Sequence, residues 1–75
     1  MEVAAKLVHL VPHWIEHNAS HAEQFEHWAG QAQVAGLDEV AEQIRSAAEA
    51  MNQANKYLNR AERLLCERNN ISESP

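Results

Sequence analysis

The sequence has few of the residues that interrupt helices or cross-link chains. Its 75 residues include two glycines, two prolines and one cysteine. A single cysteine, Cys66, excludes an intrachain disulfide, and we expect a protein of the reducing cytoplasm. No 18 consecutive residues are apolar, which argues against a membrane span. The early apolar stretch is broken by His9, which makes a poor signal peptide.

Positive charge is also scarce. Six lysines and arginines stand against eleven aspartates and glutamates, which gives a formal net charge of −5. Nucleic-acid-binding proteins carry basic patches that neutralise phosphates, so we expect no nucleic-acid partner. A chain of this length forms one domain at most, and its own core would be thin.

Alanine, glutamate, glutamine and leucine dominate, and no stretch that alternates between apolar and polar residues is long enough to predict a strand. This composition predicts an all-α protein. Gly36 suits the left-handed residue that closes a helix, and Asp38 suits the N-cap of the next one. We therefore predict a single domain of residues 1–69, with helix one at about 2–35 and helix two at about 38–69, followed by a disordered tail at 70–75.

Pro12 lies within predicted helix one. Proline lacks the amide hydrogen of a regular helical turn and clashes with the preceding turn. The alternative is a short separate helix before Pro12. We predict a kink instead, because the apolar spacing continues across it through Leu7, Leu10 and Trp14.

Both predicted helices carry heptad patterns, which are typical of coiled coils. In helix two the pattern comprises Val40, Ile44, Ala47, Met51, Ala54, Leu58, Ala61 and Leu65. In helix one it comprises Val11, Trp14, Asn18, His21, Phe25, Trp28, Ala32 and Ala35. Because one hairpin would leave part of each apolar stripe uncovered, we predict an antiparallel two-helix hairpin that dimerises as a coiled coil or four-helix bundle.

Four of the five histidines recur at one helical step, at residues 9, 13, 17 and 21. Side chains four residues apart on a helix are neighbours, and neutral imidazole is a good ligand for late first-row metals. We therefore predict a metal site formed by His13, His17 and His21, completed by the same row of a second copy. The alternatives are a hydrogen-bonded histidine that sets the register, a pH-sensitive interface, or a solvated histidine face.

Signs of catalysis are few. No glutamate is followed three residues later by histidine, and no His-Glu-x-x-His occurs, which argues against a ferritin-like di-iron site and excludes a zinc-protease motif. Glu16, Glu23 and Glu26 are typical of a solvated face. We expect no enzymatic activity, since the sequence has no cofactor fingerprint and no evident general base.

The segment His13-Trp14-x-x-His17-x-x-x-His21 resembles the H-(W/F)-x-x-H-x-x-x-H motif of the CooJ family of nickel metallochaperones. The match is complete over these nine residues. CooJ-type proteins also carry a histidine-rich C-terminal tail, whereas this sequence ends in Ser72-Glu73-Ser74-Pro75. The resemblance therefore covers the helical motif and does not extend to a storage tail.

The resemblance implies a cytoplasmic homodimer that binds Ni²⁺ at its interface through His13, His17 and His21 of both chains. It implies a carrier or store that supplies nickel to carbon monoxide dehydrogenase, with that enzyme or its maturation proteins as partners. The alternative function is a dimeric coiled-coil interaction module whose interface histidines are structural or pH-sensing. A helical-bundle metalloenzyme is a third and weaker alternative.

Overall fold

Two long helices form the whole of the fold. The structure is a computed structural model that describes residues 2–73, with side-chain surroundings for residues 2–68. Helix α1 (Val3–Val34) and helix α2 (Asp38–Glu73) pack against each other as a hairpin about 62 Å long. No strand occurs in residues 2–73, so the all-α class and the hairpin are confirmed. Neither helix, over this range, is long and apolar enough to cross a membrane.

The turn between the helices follows from Gly36. Its φ of 83° is left-handed, a conformation that glycine adopts without steric cost. The amide of Gly36 donates to the carbonyl of Gln33, and that of Leu37 donates to the carbonyl of Ala32. This pair of bonds is a Schellman motif, which satisfies the last carbonyls of α1 and reverses the chain within three residues.

Helix α2 begins at Asp38, the residue that we predicted as its N-cap. The carbonyl of Leu37 accepts the bond from Ala41 that opens the helix, so Leu37 holds the N-cap position that we expected for Asp38. Asp38 and Glu39 lie instead in the first turn of α2. Their carboxylates stabilise the helix there, because the amide end of the helix dipole is positive.

The helices run close to the predicted bounds, with one extension. Helix α1 passes through Pro12 as a single element, and the kink that we expect at this residue stays a prediction. Helix α2 continues to Glu73 rather than ending near residue 69, since neither glycine nor proline interrupts residues 69–73. Residues 74 and 75, at the end of the expected tail, lie outside the described residues.

Small side chains form the closest contact between the helices. The buried residues are Val11, Ala22 and Ala29 on α1 and Ala41, Ala48 and Asn55 on α2. Short side chains at a helix contact let the two backbones approach closely. Larger residues flank this contact and are half-buried, namely Ile15, Phe25, Ile44, Met51, Leu58 and Leu65.

The contact corrects our placement of the alanines of helix two. We expected the Ala47, Ala54 and Ala61 row in the seam, but Ala41, Ala48 and Asn55 occupy it. Each large residue of α2 therefore lies beside the buried small residue that precedes it by three positions. The alanine that follows it by three positions lies outside the contact. Trp14 and Trp28, which belong to the heptad pattern of helix one, are exposed in the hairpin, with exposed fractions of 40% and 62%.

The predicted seam residues that the contact between the helices leaves uncovered lie on one side of the hairpin, which we call the open face. It comprises Leu7, Trp14, His21 and Trp28 of α1 with Ala47, Ala54 and Ala61 of α2. At the end of the hairpin away from the turn, Leu7, Trp14 and Ala61 line one shared apolar groove, which places both rows on the same side. The heptad repeat of seven residues carries this arrangement along both helices.

The other side of the hairpin is polar. Arg45 of α2 donates to the side-chain oxygen of Gln33 over 2.9 Å and lies 3.8 Å from a carboxylate oxygen of Glu26. These side chains flank the Ala41 and Ala48 row, whereas the open face flanks the Ile44 and Met51 row. The hairpin as a whole is therefore amphipathic, with one polar side and one apolar side.

Candidate metal centre

Two histidine rings converge on the open face near the middle of α1. The Nε2 atoms of His17 and His21 lie 2.9 Å apart, and their ring centroids lie 4.4 Å apart at an interplanar angle of 65°. One helical turn separates the two residues, so the helix itself sets this proximity. His17 is exposed and His21 is half-buried, so both nitrogens are accessible from the open side.

Phe25 supports the pair from the next turn of α1. Its ring centroid lies 5.9 Å from that of His21, with an interplanar angle of 34°. Aromatic rings at this separation interact favourably in offset arrangements. Phe25 is half-buried, and its contact with His21 limits the freedom of that ring.

The separation of the nitrogens fits two adjacent ligands of one metal ion. Imidazole nitrogens bind transition metals at about 2.1 Å, so two nitrogens 2.9 Å apart subtend an angle of about 90° at the ion. This is the angle of neighbouring positions in square-planar or octahedral geometry, which are typical of nickel(II) and copper(II). A tetrahedral ion would require the nitrogens to be about 3.4 Å apart.

The same contact is also a hydrogen bond between two neutral imidazoles. One Nε2 donates and the other accepts, and the tautomers of the two rings decide which. In this form the pair is the structural histidine feature that the sequence offered as an alternative to a metal site. Metal titration separates the two chemistries, because an ion replaces the shared proton.

The third residue of the predicted set lies apart from this pair. The ring centroid of His13 is 6.2 Å from that of His17, and His13 is exposed. His27 packs edge-on against Trp28 at 5.3 Å and does not join the row. Within the described part of the chain, no three His, Cys, Asp or Glu side chains form a group that could hold a metal ion.

The carboxylates of α1 do not complete the site. Glu16 and Glu23 are exposed, as expected for a solvated face. Glu26 lies near Arg45 on the polar side of the hairpin. One chain therefore offers two converging nitrogen ligands, and an ion needs further ligands from elsewhere.

Two asparagines connect the helices behind the histidine pair. The side-chain amide of Asn18 donates to Oδ1 of Asn55 over 3.1 Å. The amide of Asn55 donates to the backbone carbonyl of Ile15 over 3.0 Å. Asn55 is 8% exposed, and this pair fixes the level at which α2 lies against the histidine-bearing turns. The predicted heptad pattern of helix two does not include Asn55, although this residue lies seven residues after Ala48 and fourteen after Ala41.

We expect Asn55→Ala to destabilise the hairpin by about 1–3 kcal/mol, because it leaves a half-buried donor of Asn18 without its acceptor. Asn59→Ala is the matched control. Asn59 lies one turn later on the same helix and is exposed, so its loss should change stability by less than about 0.5 kcal/mol. Urea denaturation followed by circular dichroism measures both, and equal midpoints for the two variants would contradict a role for the asparagine pair.

The chain is similar in sequence to known proteins over most of its length. The profile of a family described as "Domain of unknown function (DUF8180)" matches residues 7–65, a range that contains both histidines and both asparagines. A protein of Archaeoglobus fulgidus named "Uncharacterized protein" is 36% identical over 56 residues, which cover 75% of this chain and 89% of the relative. No solved structure matches significantly.

Proposed function

This chain belongs to the DUF8180 family, and we propose that it is a homodimeric nickel(II) carrier of the CooJ type. The observation that carries the proposal is the outward-facing pair of His17 and His21, whose Nε2 atoms lie 2.9 Å apart. This pair lies within the nine-residue motif on which the resemblance to CooJ rests.

A second copy supplies the ligands that one chain lacks. When two open faces meet around a two-fold axis near the histidines, His17 and His21 of both chains provide four imidazoles. His13, which the motif includes, is exposed on the preceding turn of α1. The two copies of His13 add a fifth and sixth nitrogen if their rings turn toward the pair. Four nitrogens make a square site and six make an octahedral one.

The ligand type suits a protein that releases its metal. The described histidine pair offers nitrogen and no thiolate, and thiolates are the ligands that bind late transition metals most tightly. Imidazole also exchanges its metal for a proton. A carrier needs both properties, because the ion must pass to a stronger site on the receiving protein.

The identity of the metal and of the client rests on the resemblance. Copper(II) binds nitrogen sites more tightly than nickel(II) does, so selectivity for nickel requires a cell that keeps copper scarce. We propose that the chain works in the cytoplasm. It supplies nickel to carbon monoxide dehydrogenase, directly or through the maturation proteins of that enzyme.

A second candidate function is a dimeric interaction module without metal. The hydrogen bond between the two imidazoles favours it, because such a bond gives the rings a structural role in the absence of an ion. In this module the open face joins two chains, and the histidines set the register or sense pH.

Calorimetric titration of the chain with nickel chloride at pH 7.5 tests the proposal. We expect half an equivalent of nickel per chain, since each site takes ligands from two copies, with a dimer in sedimentation experiments under the same conditions. A dimer that takes up no nickel would favour the interaction module. A folded monomer that binds one ion by itself would contradict the shared site.

A further inference from the structure

We infer that two copies pack open face against open face in antiparallel orientation, and that Trp28 of each copy fills the apolar groove of the other. The inference rests on the homodimer of the proposed function and specifies how its chains are arranged. Three independent observations support it: an apolar groove, an exposed tryptophan at the matching distance, and an uneven distribution of charge.

The groove lies on the open face at the end of the hairpin away from the turn. Its volume is about 340 Å³, and its walls are apolar apart from Arg68. The residues that line it include Leu7, Val11 and Trp14 of α1 and Leu58, Ala61 and Leu65 of α2. A cavity of this size accepts a small organic group or one large aromatic side chain.

Trp28 is the side chain with most to gain from such a groove. It is 62% exposed and lies two heptads after Trp14, on the same side of α1. Burial of an aromatic side chain of this size removes a large apolar area from water. Because Trp28 lies toward the turn and the groove lies toward the opposite end, it reaches a groove only on another molecule.

Distances along the helix match this exchange. A two-fold axis between His17 and His21 passes near residue 19 of α1. Trp28 lies nine residues to one side, about 14 Å, and Val11 lies eight residues to the other side, about 12 Å. An antiparallel dimer therefore sets Trp28 level with the wall of the partner groove, whereas a parallel dimer sets it level with Trp28 of the other copy, far from the groove.

The charge distribution favours the same orientation. The contact between Asn18 and Asn55 divides the hairpin into two halves. The half near the turn, residues 19–54, has six carboxylates and one arginine, for a charge of −5; the rest has five acidic and five basic residues. A parallel dimer would place the two acidic halves side by side, which is repulsive within a Debye length of about 8–10 Å. The antiparallel dimer places each beside a neutral half.

Spin labelling of the native thiol tests the orientation. Cys66 is free and exposed. It lies twelve residues beyond residue 54, which is level with the proposed axis, and is therefore about 18 Å from that axis along the hairpin. The antiparallel dimer therefore separates the two labels by about 35–40 Å. A parallel dimer holds them at one level, within about 25 Å. Pulsed electron resonance on the full chain distinguishes these distances.

A second label position keeps the test independent of the groove. Leu37 is 52% exposed at the turn, and Leu37→Cys in a Cys66→Ser background should give a separation above about 50 Å. Short distances at both positions would overturn the antiparallel arrangement while leaving a dimeric nickel carrier intact. A chain that stays monomeric, with and without nickel, would overturn this inference and the shared metal site together.

Substitution of Trp28 tests the groove. We expect Trp28→Ala to weaken dimerisation by more than about tenfold, because the partner groove then stays empty. His27→Ala is the control: it removes the neighbouring exposed ring, which points about 100° away around the helix. Sedimentation equilibrium measures both variants, and an unchanged dimer in Trp28→Ala would overturn the placement of this side chain.

Discussion

Replacement of both His17 and His21 with alanine should weaken nickel binding by more than about 100-fold. The double substitution removes the pair of nitrogens that lie 2.9 Å apart, and in a dimer it removes four ligands at once. We expect the hairpin to survive, since His17 is exposed and His21 is only half-buried. Alanine is also a better helix former than histidine.

The controls separate a ligand from a histidine that merely lies nearby. His27→Ala removes an imidazole that packs on Trp28 and not in the row, so nickel affinity should stay within about twofold of the wild type. His13→Ala measures the contribution of the third motif residue, whose ring lies 6.2 Å from that of His17. Calorimetry gives the affinities, and circular dichroism gives the helix content. Unchanged nickel uptake by the double variant would place the metal elsewhere.

Nickel affinity should fall by orders of magnitude between pH 7.5 and pH 5.5. An imidazole must be deprotonated to bind a metal, so protons compete with the ion more strongly as the pH falls. Affinity is therefore retained at the higher pH and lost at the lower one, and every further imidazole ligand makes the loss steeper.

The slope of nickel affinity against pH gives the number of imidazole ligands. In the acidic range, the slope of log affinity against pH is about one for each imidazole that must lose a proton to bind the metal. A chelator of known nickel affinity, used in competition at several pH values, gives the slope. Sedimentation at pH 5.5 shows whether the dimer persists, so that loss of ligands is distinguished from dissociation of the chains. An affinity that is independent of pH would contradict imidazole ligation.

Local signals in the sequence were sufficient to predict the hairpin. The scarcity of helix breakers predicted long helices, and Gly36 marked the turn because a left-handed residue was needed there. The choice of inner face was less well determined. Helix α2 has alanines both at 41 and 48 and at 47, 54 and 61, and a methyl group suits either row. Asn55 completes the buried row through its bonds to Asn18 and Ile15. These bonds cannot be predicted from α2 alone, because they depend on how the two helices meet.

The histidine site was predictable in part. Spacing of four residues brings His17 and His21 together, and the structure places their nitrogens at a separation that a metal ion can bridge. The same spacing applies to His13 and His17, yet those rings stay farther apart. Spacing fixes which residues are neighbours, whereas side-chain rotation decides which nitrogens converge. Ligands from a second chain lie beyond what one sequence pattern specifies.

The contact between the two helices is made mainly of methyl groups. Ala22 and Ala29 meet Ala41 and Ala48 there, and the bulkier side chains are only half covered. An isolated chain therefore has little free energy holding its helices together and should open often enough for proteases to cut it. Anything that joins two chains slows this opening by mass action. If nickel is what joins them, the lifetime of the protein in the cell follows the supply of the metal.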